Sequence, residues 1–213
     1  MARRRDERID RAVLAAVSEL VREVGYSALT MEAVAARAGT TKPAIRRRWR
    51  SRPHLVVAAM ADERVGVVEI DTGCLHCDIV GHLEALRVGM ADPALGRVIP
   101  ALLADLADDP RLHEEFLAIV WEPRRNACAV SLRRARERGE VVKDLDVDLL
   151  LDLFAAPVVF RALFRHAELG PDLAELVTHA VLVGVGDSRA SYCTNPAGQA
   201  SSRGTAPRSP FAT

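Results

Sequence analysis

Hydrophobic positions near the start of the chain recur every three or four residues, which is the spacing of an amphipathic helix. The first stripe predicts a helix that ends at Gly25, and it consists of Ile9, Val13, Ala16, Val17, Leu20 and Val24. A second stripe of hydrophobic residues follows Thr30. After Ser51, a further helix is expected from Leu55 to about Val68.

The stretch from Thr30 to Trp49 has the pattern of two short helices joined by a tight turn. Thr30 can cap the first helix, and Gly39 can end it by adopting the left-handed conformation. Ile45 and Trp49 are four residues apart and share one face of the second helix, which leaves basic residues on the other face. This pattern predicts a helix-turn-helix that places its second helix in the major groove of DNA, although a hairpin with a solvated basic face has the same pattern.

The distribution of charge favours DNA binding. Residues 1–52 contain 13 Lys and Arg against 6 Asp and Glu, a net charge of +7, whereas residues 53–213 contain 16 against 23, a net charge of −7. The formal charge of zero therefore hides a basic segment that can attract phosphates.

The remainder of the chain is predicted to be helical. Candidate helices cover about 77–91, 94–108, 111–138, 147–167 and 172–185, with a loop over 69–74 and no alternating strand pattern. We therefore predict an all-α fold with a DNA-binding domain over 1–52 and a helical ligand-binding and dimerisation domain over 53–186. Residues 187–213 are small, polar and rich in Pro and Gly, and they are predicted to be a disordered tail.

The helix predicted over 147–167 is apolar on nearly every side and must be covered on every side. A bundle formed with a second copy of the chain would cover it, although a central helix of a monomer would have the same composition. We expect a homodimer whose interface contains Leu153, Val159, Phe160, Leu163, Leu176, Ala180 and Val183.

The run GYSALTMEAVAARAGTTKPAIRRRWRSRPHLVVAAM resembles the tetracycline-repressor (TetR) family of bacterial regulators. The matching positions are Gly25-Tyr26, Thr30, Ala38-Gly39, Trp49 and Ser51. Three positions depart from the family pattern, because Arg46 replaces the usual Tyr, Ala44 the preceding Thr, and Arg52 the usual Lys after Ser. The resemblance implies a dimeric transcriptional regulator, a repressor that binds a palindromic double-stranded DNA operator and is released by a small-molecule effector.

The candidates for DNA contact lie in the two turns and the second short helix. They are Thr30, Thr41, Lys42, Pro43, Ala44, Arg46, Arg47, Arg48 and Arg52. Lys42, Arg46 and Arg47 are expected at base edges, because Arg can pair with guanine through two hydrogen bonds. Thr30, Arg48 and Arg52 are expected at phosphates, where they would fix the register.

The candidates for effector contact are apolar or aromatic residues of the later helices together with one histidine, and packed core is the alternative for each of them. They are His82, Leu86, Met90, Leu103, Phe116, Val120, Trp121, Phe154 and Phe164. His82 and Trp121 carry ring nitrogens that need a hydrogen-bond partner if buried, and a ligand could supply it.

Cys74 and Cys77 form a CxxC pair and leave open a metal- or redox-responsive regulator. A zinc site needs four ligands, and a second close Cys/His pair is missing from the sequence, so no metal and no cofactor are expected. The sequence contains neither a phosphate-binding loop nor a nucleophile elbow, and an enzyme is not predicted. It shows no signal peptide and no apolar run of spanning length, so we expect a cytoplasmic protein without a membrane partner.

Overall fold

A computed structural model describes residues 2–64, 67–93, 95–141 and 146–183, and every regular element in these ranges is helical. The all-α prediction is confirmed. The elements in order are α1 (Ala2–Val24), α2 (Met31–Arg37), α3 (Lys42–Arg46), α4 (Arg52–Asp62), α5 (Leu75–Ala91), α6 (Leu95–Asp108), α7 (Pro110–Phe116), a π-helical turn (Leu117–Trp121), α8 (Glu122–Arg138), α9 (Val147–Phe164) and α10 (Leu173–Val183). Within the described ranges, none of these helices has the length and apolar character needed to cross a bilayer.

Two predicted helices end earlier in the structure than in the sequence analysis. The helix expected to reach Val68 ends at Asp62, and Arg64 adopts a φ of 48°. The helix expected to reach residue 167 ends at Phe164, and Arg165 adopts a φ of 52°. A positive φ is incompatible with continuing a right-handed helix, and nothing in the side chain of arginine signals it. The predicted tail over 187–213 lies outside the described residues.

The first buried cluster joins α1 to α4 with residues of α6, α7 and the π-helical turn. Val17, Val34 and Leu55 are almost completely inaccessible to solvent, and so are Leu102 of α6 and Leu112 of α7. Therefore α1 to α3, together called the helix-turn-helix region, share one core with α4, α6 and α7. The proposed boundary between residues 52 and 53 stays a prediction.

The second buried cluster joins α5, α8, α9 and α10. Ile79 of α5, Phe154 and Val158 of α9, and Ala135 of α8 are fully buried there. These four helices therefore turn apolar side chains toward one common core.

The helix predicted over 111–138 is interrupted by the π-helical turn, two residues before Pro123. Proline has no backbone N–H to bond to the carbonyl of Ile119, and its ring crowds that carbonyl. The π-helical turn accommodates this break because it contains one more residue than a turn of α-helix. The side chains after it therefore point about 100° away from their direction in an unbroken helix. Residues of this turn and of the start of α8 line the cavity described below.

Candidate functional site

The predicted helix-turn-helix is formed by α2 and α3, and both helices have side-chain caps. The hydroxyl oxygen of Thr30 accepts a hydrogen bond from the backbone N–H of Ala33 at 3.1 Å, and that of Thr41 accepts one from Ala44 at 3.3 Å. Gly39 has a φ of 62°, a conformation in which glycine has no steric penalty. These features fix where each helix starts and how the chain turns between them.

The orientation of α3 agrees with the predicted inner and outer faces. Ile45 is buried at 1% exposure, and Trp49 packs partly buried against the same core. Pro43, Arg46 and Arg47 are exposed on the outer side. The helix therefore presents cationic side chains to solvent from a rigid base.

Two residues predicted to contact DNA make ion pairs with neighbouring helices. Lys42 pairs with Glu32 of α2, and the hydrogen bond from Lys42 lowers the pKa of that carboxyl group. The Nη1 atom of Arg48 lies 2.8 Å from the Oδ1 atom of Asp10 on α1, and its side chain is only 28% exposed. Asp10 holds the guanidinium of Arg48 near α1, and the contact of Arg48 with a phosphate stays a prediction.

Arg52, also predicted at a phosphate, is held between the helix-turn-helix region and α6. Its guanidinium carbon lies 4.6 Å from the ring centroid of Tyr26, and its Nη1 atom donates to the carbonyl of Ser27 at 3.2 Å. Its Nη2 atom is 3.9 Å from a carboxylate oxygen of Asp105, which also accepts a hydrogen bond from the Tyr26 hydroxyl. Burial, and then the charge and hydrogen bond of Asp105, raise the pKa of Tyr26. Arg52 therefore stabilises a contact within the protein.

The cationic side chains that stay available near α3 are Arg46, Arg47 and Arg50. All three are exposed, and none makes an ion pair or a side-chain hydrogen bond in the part of the chain that the structure describes. The sequence analysis did not include Arg50. The signal for it was the arginine-rich run around Trp49, but spacing alone could not show which of these arginines are paired.

Two adjoining cavities lie between the later helices and share Leu86, Trp121 and Arg124. One, with a cavity volume of about 50 Å³, lies between α5, α8 and α9. The other, with a volume of about 60 Å³, extends toward α4, α6 and α7. The first is lined by His82, Leu83, Leu86, Trp121, Arg124, Arg125, Cys128, Leu151, Phe154 and Ala155. The second is lined by Met60, Leu86, Gly89, Met90, Ile99, Phe116, Val120, Trp121, Arg124 and Val159.

Most effector candidates from the sequence lie in these walls. They are His82, Leu86, Met90, Phe116, Val120, Trp121 and Phe154. Two candidates do not: Leu103 is 43% exposed on α6, and Phe164 is 66% exposed at the end of α9, where its ring lies tilted against that of Phe160. Both side chains are apolar, a character that is equally typical of a protein interface.

Three polar side chains of the cavity walls, those of His82, Arg124 and Arg125, have different environments. The Nε2 atom of His82 lies 3.0 Å from the hydroxyl oxygen of Ser131, and burial lowers the pKa of the ring. Arg125 bridges to Asp148 and Asp152 of α9 at 2.8 and 2.6 Å. Arg124 lines both cavities, and burial lowers the pKa of its guanidinium. Sequence reasoning missed Arg124 because the π-helical turn changes the register, and Pro123 was the signal of that break.

A wider depression lies elsewhere on the surface, at the ends of α5 and α9. It includes Arg97, Arg161 and Arg165 as well as Asp92 and Glu168, and its volume is about 630 Å³. Charges of both signs line it, whereas the walls of the two adjoining cavities are mainly apolar. The latter are the better candidates for a small-molecule site.

The outer faces of α9 and α10 are apolar and exposed. On α9 this stripe includes Leu149, Leu153, Phe160 and Phe164, of which Phe160 is 53% exposed, and on α10 it includes Leu176, Ala180 and Val183. Leu163 is half-buried beside it. Val159, a predicted interface residue, differs, because it packs against the second core and lines a cavity. A stripe of this size on a helix pair is typical of a protein interface.

Cys74 and Cys77 are exposed, whereas Cys128 is buried. Hydrogen bonds from the backbone and thiol of Cys77 lower the pKa of Cys74, and the same pairing raises the pKa of Cys77. Burial raises the pKa of Cys128 to about 12. In the ranges described above, no three His, Cys, Asp or Glu side chains are grouped so that they could hold a metal ion.

Comparison with known protein families gives two matches that together span most of the chain. Residues 13–59 match the description "Bacterial regulatory proteins, tetR family", and residues 69–181 match "Tetracyclin repressor-like, C-terminal domain". The first match contains the helix-turn-helix. The second contains the lining residues of both cavities except Met60, and most of the apolar stripe.

Several similar proteins are described as transcriptional regulators. An uncharacterized HTH-type transcriptional regulator of Bacillus subtilis, YdeS, is 30% identical over 84% of this chain and 90% of its own length. A DNA-binding transcriptional repressor TetR of Mycobacteroides abscessus is 29% identical over 74% of this chain and 83% of its own. The crystal structure of a TetR family transcription regulator, SCO0332, has a TM-score of 0.72 and 28% identity over 84% of this chain and 99% of the other.

Proposed function

The chain belongs to the tetR family of bacterial regulatory proteins, and from this premise we propose that it is a ligand-responsive repressor that binds a palindromic operator as a homodimer. The observation that carries the proposal is the outer face of α3, where Arg46 and Arg47 are exposed and outside every ion pair described above. A chain with this role works on the chromosome, so its place of action is the cytoplasm.

At the DNA interface, Arg46 and Arg47 read base edges in the major groove. Thr30 and Thr41 use an oxygen lone pair for capping, which leaves each hydroxyl proton available to a phosphate. Arg50 takes the phosphate role that the sequence analysis gave to Arg48. Lys42 can contact DNA only if its ion pair with Glu32 breaks.

Dimerisation uses the apolar stripe of α9 and α10. Two copies related by a twofold axis would bury Leu153, Phe160 and Leu176 against one another in a four-helix bundle. The two copies of α3 would then occupy successive half-sites of an operator, about 34–36 Å apart or a multiple of that distance.

Control by a small molecule requires that the molecule bind one arrangement of the two helix-turn-helix regions more tightly than the other. The adjoining cavities are suited to this role, because residues of α4 and α6, which pack on the helix-turn-helix region, line them together with α8 and α9. An effector in the cavities would favour a spacing that no longer matches the operator.

The proposal is tested by selecting binding sites from random DNA with the full chain and with an Arg46→Ala, Arg47→Ala double variant. We expect the wild-type protein to enrich a palindromic sequence with two half-sites, and the double variant to enrich none. A wild-type protein that enriches no sequence would contradict the proposed function.

A further inference from the structure

We infer that the effector is a small aromatic alcohol of the phenol type, and that the Nδ1 atom of His82 accepts a hydrogen bond from its hydroxyl group. The inference rests on the proposed function, because it names the chemical class of the molecule that the regulator senses. Three features of the first cavity support it: the hydrogen bonds that fix the imidazole ring, the acceptor atom that they leave over, and the small aromatic walls.

The imidazole ring of His82 is held by a chain of hydrogen bonds that ends on the backbone. Its Nε2 atom lies 3.0 Å from the hydroxyl oxygen of Ser131, and that hydroxyl lies 3.4 Å from the carbonyl oxygen of Ile70. A carbonyl oxygen can only accept, so the single hydroxyl proton of Ser131 is donated to Ile70. The hydroxyl oxygen of Ser131 then accepts the N–H of His82, which places the ring proton on Nε2.

The backbone at the end of this chain is itself fixed. The Nη1 atom of Arg134 donates to the same carbonyl of Ile70 at 3.3 Å. The side chain of Ile70 packs where Gly81 of α5 has no Cβ, since a Cβ there would lie 2.5 Å from Cδ1 of Ile70. Two residues later, the backbone N–H of Thr72 donates to Oδ1 of Asp78 at 2.8 Å. The ring of His82 is therefore oriented before a ligand arrives, which lowers the cost of ordering it.

This tautomer leaves the Nδ1 atom of His82 as an acceptor. Burial lowers the pKa of the ring, so it is neutral near pH 7 and carries one proton. In the part of the chain that the structure describes, the Nδ1 atom has no hydrogen-bond partner and is not sealed from solvent. The nearby carboxylate of Asp78 bonds to Thr72 through Oδ1, and its Oδ2 atom makes no hydrogen bond, so it does not bind the ring. Because the ring lines the first cavity, Nδ1 is available to a ligand there.

The opposite tautomer is less favourable. It would place an N–H at Nδ1 without an acceptor, and it would turn the proton of Ser131 away from Ile70. Buried N–H groups without a partner are rare in native proteins, whereas buried acceptors with spare capacity are more common. A ligand that pairs with His82 is thus expected to bring a hydrogen-bond donor.

The walls around this acceptor fit a single aromatic ring. Leu86 and Trp121 line both adjoining cavities, and Phe154 lines the first. The volumes are about 50 and about 60 Å³, and an apolar cavity of about 150 Å³ is enough for benzene. A molecule with one ring that spans both cavities therefore suits the space better than a larger one. Its ring would pack against aromatic side chains, and its hydroxyl would lie at Nδ1.

The hydroxyl group decides the order of affinities. A hydroxyl that enters an apolar cavity without a partner loses its hydrogen bonds to water, so it binds less tightly than a methyl group in the same place. An acceptor in the wall reverses this order, because the methyl analogue leaves that acceptor unpaired.

The test compares ligands that differ only in this group. Calorimetric titrations of the full-length protein would use phenol against toluene, and para-cresol against para-xylene. We expect each phenol to bind about ten-fold more tightly than its methyl analogue. If neither phenol binds, or if the methyl analogues bind as tightly, the inference is wrong.

Variants then assign the contact to His82. In His82→Gln the side-chain amide can still donate to Ser131, but the Nδ1 acceptor is lost, and His113→Gln changes an exposed ring of α7 as a control. The first variant should lose the preference for phenol over toluene, and the control should keep it. A His82→Gln protein that keeps the preference contradicts the inference.

Nitrogen NMR spectroscopy of the wild-type protein with isotope-labelled histidine reports the tautomer directly, and it decides if the variant does not fold. We expect the Nδ1 resonance of His82 to be that of an unprotonated ring nitrogen in the ligand-free protein. Phenol should move it toward the position of a hydrogen-bonded nitrogen, and toluene should change it little. A protonated Nδ1 in the ligand-free protein, or equal shifts with both ligands, would overturn the inference.

These outcomes are separable from those for the proposed function. Selection of an operator by the ligand-free protein together with failure of both phenols would remove the inference and leave DNA binding intact. Binding of a phenol at His82 by a protein that selects no DNA would have the opposite meaning.

Discussion

The hydroxyl group of Tyr26, in the loop after α1, donates a hydrogen bond to the carboxylate of Asp105 on α6. This bond joins the helix-turn-helix region to α6, the helix that follows α5 in the chain. The guanidinium of Arg52 lies over one face of the Tyr26 ring.

We predict that Tyr26→Phe lowers the free energy of unfolding by about 1–2 kcal/mol, because the carboxylate of Asp105 loses a donor in a partly buried place. Urea denaturation measures the change. A cycle with Asp105→Asn and the double variant isolates the coupling between the two side chains. Additive effects of the two single changes would mean that the bond contributes nothing.

For the dimer, Leu153→Glu should produce a folded monomer that binds operator poorly, because the carboxylate would be buried in the interface. Leu103→Glu is the matched control. Leu103 is 43% exposed, against 48% for Leu153, and it lies on α6, away from the apolar stripe. Sedimentation velocity at micromolar concentration reports the oligomeric state. A monomeric wild-type protein, or equal behaviour of both variants, would reject this interface.

The cysteines are predicted to differ in reactivity and to be dispensable for control. Iodoacetamide near pH 7 should modify Cys74 faster than Cys77, because the thiolate is the reactive form and the pKa of Cys74 is the lower one. Cys128 should react only after unfolding. Peptide mapping by mass spectrometry gives the order.

The Cys74→Ser, Cys77→Ser variant should bind operator and respond to effector like the parent. Loss of the response in this variant would support a redox- or metal-responsive regulator in place of the one proposed.

Stability should depend on pH through His82. Burial lowers the pKa of the folded-state ring below 6.5, so the unfolded chain binds more protons as the pH falls through and below that value. The stabilisation from a neutral His82 is fully present above about pH 6.5 and is lost toward lower pH. His82→Gln should flatten this part of the profile in urea titrations, whereas His113→Gln, which changes an exposed ring of α7, should leave it unchanged. Parallel profiles for wild type and His82→Gln would contradict the assignment.

The sequence was sufficient for the helices and for the inner face of α3, because Ile45, Trp49 and the capping residues act through local spacing. It assigned Arg47 to base edges and Arg48 to phosphates, but it could not show that Arg48 pairs with Asp10. That contact joins residues 38 positions apart in the chain, and local spacing gives no sign of it.

Prediction from the sequence reached the same limit for the walls of the two cavities. His82 and Phe154 could be proposed from residue type, and both lie in the walls. Arg124 could not, because its direction depends on the π-helical turn before it and on how α5, α8 and α9 pack. Residue type also misplaced Phe164, whose apolar ring is exposed on the outer stripe.

The central claim is that the outer arginines of α3 bind the operator. The most direct measurement is operator affinity across a salt series for wild type, Arg47→Ala and the exposed control Arg133→Ala, on matched DNA and on DNA with single mismatches. We predict a steep fall in wild-type affinity with salt, about 0.9 in log–log slope per phosphate contact. Arg47→Ala should lose about 1–3 kcal/mol on matched DNA and relax discrimination at one position, while Arg133→Ala should match wild type. Wild-type binding without salt dependence, or unchanged mismatch discrimination in Arg47→Ala, would contradict the claim.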